Sequence, residues 1–166
     1  MDKLLAASAA VVMGVSAAVA MAMSSSSAPP PDRAGAAEAE AIVKKAILHY
    51  QTVGKDQALA DLTLRDGGFV DRDLHVTVYD FEGVTLAHVD PKLMGKRIGD
   101  LRDGKPTYHI KERIEIKDRL ELARKDGRGW QELEGRFNPA TRKIEDKRVY
   151  FERYDNVVFA ASVYRK

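Results

Sequence analysis

The chain has 166 residues, 45% of them hydrophobic, and 27 basic side chains against 25 acidic ones leave a formal charge of +2. That balance provides no basic stripe for a nucleic acid. The absence of cysteine excludes disulfides, thiolate zinc sites and a catalytic thiol. The length suits one domain with extensions, and no repeat at a period of 20 to 50 residues is present.

Lys3 is followed by an uncharged run from Leu4 to Met23. A basic residue, an apolar stretch and small residues at Ala18-Val19-Ala20 or Ala20-Met21-Ala22 predict a signal peptide over residues 1–22. The rival is an uncleaved N-terminal anchor, since about 20 apolar residues can cross a bilayer. Ser8, Gly14 and Ser16 make the run weakly hydrophobic, which favours cleavage. Either reading puts the remainder outside the cytoplasm, and the expected location is the periplasm. Serines and three consecutive prolines then predict a flexible linker over 23–35, because such residues join neither a helix nor a sheet. The folded domain is expected over 36–166.

Ile42, Val43, Ala46, Ile47, Tyr50 and Val53 recur at spacings of three and four, one stripe of an amphipathic helix. Gly54 interrupts it and "KDQALADLTL" resumes it, so a kinked pair ending near Leu62 is predicted. Asp66-Gly67-Gly68 then marks a turn. From Leu74 the period becomes two: Leu74, Val76 and Val78 alternate with His75, Thr77 and Tyr79. A second run, Val84, Leu86 and His88, follows the turn "DFEG", with Gly83 expected in the left-handed region. With Asp80 opposite Val84, Val78 would pair with Leu86 and Val76 with His88. His88 then points into an apolar interior, while His75 and Tyr79 lie on the opposite face, which argues against a His75/His88 metal pair.

Residues 91–105 read as loop. "PTYHIKERIEIKDRLELARKDG" reads as a charged helix with a thin apolar stripe at Ile110, Ile114, Leu120 and Ala123. Trp130 follows, then the turn "FNPATRK" and a second hairpin about Asp155-Asn156. Pairing across that turn sets Lys147, Val149 and Phe151 beside Tyr164, Ser162 and Ala160, with Arg148, Tyr150 and Glu152 on the other face. Both faces are half apolar, so both are expected to be covered. The plan is α+β: a long N-terminal helix packed on an antiparallel sheet.

The segments "AIVKKAILHYQTVGKDQALADL", "GGFVDRDLHVTVYDFEGVTLAH", "DPKLMGKRIGDLRDGK", "GRGW", "NPATRKIEDKRVYFER" and "VVFAASVY" together resemble the single-Cache family of extracytoplasmic sensor domains. The likeness runs from about Ala39 to Tyr164. It implies a PAS-like sheet with the long helix on one face and, on the other, a pocket for a small metabolite, in several relatives a short-chain carboxylate such as pyruvate or acetate. It also implies a membrane receptor or histidine kinase as partner. With no signalling module after Lys166, the expectation is a stand-alone domain that reports through another protein. The chain departs from the family in having Val89 after the histidine, Leu133 three residues after the Trp, and a helix before Trp130 longer by about two turns.

A small carboxylate calls for one or two donors, at least one charged, in a mostly apolar cavity. With the resemblance in hand, His88, Lys147, Tyr150, Tyr79 and Trp130 are the candidate ligand-binding residues. Each also has a plainer reading. His88 would be a core histidine, Lys147 a solvated strand end, Tyr79 packing against the long helix, and Trp130 a core or lid residue. Tyr150 has the opposite parity to Lys147, so the two share a pocket only across a bulge. No catalytic residues, metal or cofactor are expected, since neither an activated nucleophile nor a metal triad can be read. The alternative to a sensor is a periplasmic interaction module with a vestigial pocket, a homodimer through the N-terminal helix included. There Ile42, Ile47 and Tyr50 would face a partner.

Overall fold

The computed structural model describes residues 33–98, 100–102, 105–106, 110–138 and 141–165. The apolar run and most of the Ser/Pro-rich linker lie outside the described residues. Among those described, no helix is long and apolar enough to cross a membrane.

The first stripe becomes helix α1 (Ala36–Val53), and Gly54, at φ 86°, joins it to α2 (Lys55–Thr63). Ile42, Val43, Ala46, Ile47 and Tyr50 are buried against the sheet rather than presented to a partner. Ala39 and Ala46, both fully buried, lie in the same core cluster. Tyr50 sets its ring edge-on to Phe159, with centroids 5.6 Å apart. Each large aliphatic or aromatic side chain buried there contributes about 1.5–3 kcal/mol. The interaction-module reading of that stripe is thus corrected: it is the domain's own core.

The strands are β1 (Val70–Asp71), β2 (Leu74–Asp80), β3 (Thr85–Ala87), β6 (Arg128–Asn138), β7 (Lys143–Tyr154) and β8 (Val157–Tyr164). They form one antiparallel sheet in the order β1-β2-β8-β7-β6, with β3 also paired to β2. A two-stranded ribbon of β4 (Leu101–Arg102) and β5 (Lys105–Pro106) lies within the stretch expected to be loop. Helix α3 (Ile110–Asp126) covers the face of the sheet opposite α1, the second cover that a doubly apolar sheet requires.

The β7–β8 hairpin has the predicted register: Lys147 pairs with Tyr164, Val149 with Ser162 and Phe151 with Ala160. Val157, Phe159, Ala161 and Val163 consequently face α1, while Val158 and Ala160 face α3.

The first hairpin departs from its prediction. Gly83 takes the expected left-handed φ of 80°, and the Asp80 amide donates to the Val84 carbonyl (3.0 Å). Tyr79 then pairs with Thr85, but Val78 pairs with Ala87, so Leu86 is the extra residue of a β-bulge. A bulge reverses the parity of everything beyond it. His88 therefore joins the face of His75, Thr77 and Tyr79, not that of Val76. The predicted opposition of His88 to His75 and Tyr79 is overturned.

Two further expectations are revised. The apolar stripe of α3 is Ile116, Leu120 and Ala123, together with Arg119, while Ile110 and Ile114 are 69% and 55% exposed. The expected turn "FNPATRK" is shorter than predicted, since Phe137 and Asn138 belong to edge strand β6 and Lys143 to β7.

Candidate functional site

Between α3 and the sheet lies a cavity of about 510 Å³. Its sheet wall takes His75, Thr77 and Tyr79 from β2, Lys147 and Val149 from β7, and Ser162 and Tyr164 from β8. Alternation along each strand sends these side chains to one face. His88 reaches the same space because of the bulge at Leu86. Helix α3 contributes Glu112, Glu115, Ile116 and Arg119, and β6 contributes Leu133, Arg136 and Phe137.

Arg119 is the most buried charge of the lining, only 5% exposed. Its Nε donates to Oε1 of Gln131 (3.0 Å), and Tyr79 is a second hydrogen-bond partner. Among the described residues no carboxylate forms an ion pair with it. Burial lowers its pKa, with Tyr79 and Glu115 opposing, yet a guanidinium keeps its proton at ordinary pH. A buried cation held only by neutral partners is costly unless an anion joins it.

Lys147 is half-buried, its ammonium 5.5 Å from the centre of the Tyr164 ring. Burial and then the charge of Arg119 pull its pKa down to about 8, against the attraction of Glu115 and Glu112. Among the described residues it has neither a hydrogen bond nor an ion pair. Arg136 does pair with Glu115, but its Nε is buried with no hydrogen-bond partner among those residues.

The rings of His75 and His88 stand 5.0 Å apart, edge to face. Burial lowers both pKa values, that of His75 to about 4, so both are neutral at pH 7. The Asp90 amide donates to Nδ1 of His88 (2.8 Å), which leaves the ring proton on Nε2 as a donor. Among the described residues no group of three or more His, Cys, Asp or Glu could hold a metal.

Of the five side chains singled out from the sequence, the structure brings His88, Lys147 and Tyr79 to this cavity. Tyr150 and Trp130 lie on the α1 face instead. No bulge interrupts β7 between Lys147 and Tyr150, so their opposite parity stands. Tyr150 donates its hydroxyl to Glu152 (2.8 Å), and Trp130 donates its indole N–H to Glu40 on α1 (3.2 Å). Their rings pack on each other at 5.3 Å. As candidates for this cavity both are corrected. Arg119, Arg136 and His75 were missed. Arg119 had a readable signal: Ile116, Arg119, Leu120 and Ala123 fall at i, i+3, i+4 and i+7, one helix face.

No protein-family model matches the chain, and no curated protein matches it in sequence. Among solved structures, the chain is similar to a Cache chemosensory domain studied for the structural basis of its carboxylic acid recognition. The TM-score is 0.56 at 18% identity, over 78% of this chain and 92% of that one. It is also similar to a methyl-accepting chemotaxis protein from Vibrio parahaemolyticus RIMD 2210633, with a TM-score of 0.55 at 19% identity, over 77% of this chain and 86% of that one. The fold is therefore that of Cache chemosensory domains, as the sequence resemblance implied.

Proposed function

We propose that this domain is an extracytoplasmic sensor that binds the anion of an organic acid in the cavity between α3 and the sheet, and reports occupancy through a membrane partner. One observation carries the reading. Arg119 is buried in the cavity wall and, among the described residues, hydrogen-bonds only to neutral groups and forms no ion pair, so a bound anion would supply the direct charged partner it lacks there. Lys147, the Nε of Arg136, which has no partner among the described residues, and the Nε2–H of His88 supply further donors. Among the described residues of the lining, three side chains cationic at pH 7, Arg119, Arg136 and Lys147, face two carboxylates, Glu112 and Glu115. One net positive charge suits one carboxylate group. The carboxylic acid recognition of the similar Cache domain points the same way. Export through the apolar N-terminal run and a receptor or kinase as listener complete the proposal.

Thermal unfolding against a panel of carboxylates tests it. A ligand at about 100 times its dissociation constant stabilises by about 2.7 kcal/mol, a shift of several degrees for a domain of this size. The shift should vanish in Arg119→Gln and shrink in Lys147→Ala. If no acid moves the transition, the reading fails and the interaction-module alternative gains.

A further inference from the structure

Resting on that reading, we infer that the cavity takes a monocarboxylic acid with an apolar body, aromatic or branched, rather than a two- to four-carbon acid. Three observations lead there. The first is size. At about 510 Å³ the cavity lies in the range of pockets that enclose drug-sized ligands, roughly 300–1,000 Å³. A pyruvate or acetate anion would fill a minor part of it and leave the rest wet.

The second is what stands beside the charge. Ile116 and Leu133 line the same cavity as Arg119 and Tyr79 and are as deeply buried, whereas Phe137 is 57% exposed. Buried aliphatic surface thus lies at the level of the charge, and an aromatic ring stands nearer the solvent. A carboxylate seated on Arg119 would have Ile116 and Leu133 available to its body, and Phe137 on the solvent side. Phe137 has no core to join on its own strand pair either, since its cross-strand partner, Ile144, is also exposed.

The third is charge. Once one carboxylate is seated on Arg119, the remaining charges of the described lining, Lys147 and Arg136 against Glu112 and Glu115, sum to zero, so a second carboxylate would give up its water for no net attraction and a diacid fits worse than a monoacid of equal length. Each methylene group transferred from water to the walls tightens binding about fourfold. A phenyl or branched body should therefore outweigh acetate by at least about tenfold.

Calorimetric titration of the intact chain with acetate, pyruvate, succinate, 4-methylpentanoate and phenylacetate tests the inference. The expected result is tighter binding of 4-methylpentanoate or phenylacetate than of acetate and pyruvate by about tenfold or more. Succinate should be weaker than either, and Phe137→Ser should narrow the ratio. If acetate, pyruvate or succinate binds as tightly as the larger monoacids, the inference is overturned while the organic-acid site stands. If none of the five binds, the site itself is refuted and the inference falls with it.

Discussion

Lys147 shows how one residue's surroundings set a measurable property of the domain. Its ammonium is half-buried and close to Arg119, which brings its pKa down to about 8 from the ordinary value of 10.5. An anion bound beside it favours the protonated form. The sign follows from linkage: binding is tightest while the free lysine is protonated, below pH 8, and weakens as the pH climbs past that value. Affinity for an acid ligand measured at about pH 7 and about pH 9.5 should therefore fall, and Lys147→Met should flatten the dependence. A flat profile in the unaltered protein would show that Lys147 does not see the ligand. The neighbouring histidines do not confuse the experiment, because His75 and His88 both titrate below their ordinary value and are neutral throughout that window.

Helix α3 makes the matching argument for an element. Its buried stripe is Ile116, Leu120 and Ala123, and the two isoleucines before it point away from the core. Ile116→Ala should cost about 2–5 kcal/mol in chemical denaturation, whereas Ile114→Ala should stay within about 0.5 kcal/mol. Equal losses would mean that the helix is rotated about its axis. The sequence left this stripe hard to read because Ile110 and Ile114 are as apolar as Ile116, and apolarity alone does not say which face is covered. Elsewhere period and turn chemistry were enough. The β7–β8 hairpin was legible to the register, and that register placed Lys147 and Tyr150 on opposite faces. The β2–β3 hairpin was not, because a single bulged residue at Leu86 is invisible to alternation yet moves His88 across the sheet. The cavity was legible in its strand-borne cation and illegible in its helix-borne one. Among so many charged residues, Arg119 is marked only by the company it keeps on the helix surface.

At the scale of the whole domain, the start of the described chain is tied to the far end of the sheet. Arg33 donates two parallel hydrogen bonds to Glu145 (2.9 and 3.0 Å), which also accepts from Asn138 and Thr141. These partners, Arg33 foremost, hold the Glu145 carboxyl down at a pKa of about 2. A depressed carboxylate pKa gives stability that is complete above the unfolded value, near 4.5, and is lost as the pH falls through 2. Glu145→Gln should therefore be less stable than the unaltered protein at neutral pH, and the gap in melting temperature should close on acidification across that interval. A gap that persists at low pH would mean the contribution is not ionic.

The same clamp has a mechanical side. Close to Arg33, the side chain of Asp73 accepts from the Ala34 amide (3.0 Å) and Arg72 donates to the Arg33 carbonyl (3.3 Å). A tug on the chain just before Arg33 would load all of these bonds together before any turn of α1 could peel away. The load would pass to β7, through Glu145, and to the start of β2, through Arg72 and Asp73. Those two strands carry Lys147 and His75. Tension on the leading segment would thus be felt first by the cavity wall, and a ligand that stiffens that wall would in turn raise the force needed to pull the segment free.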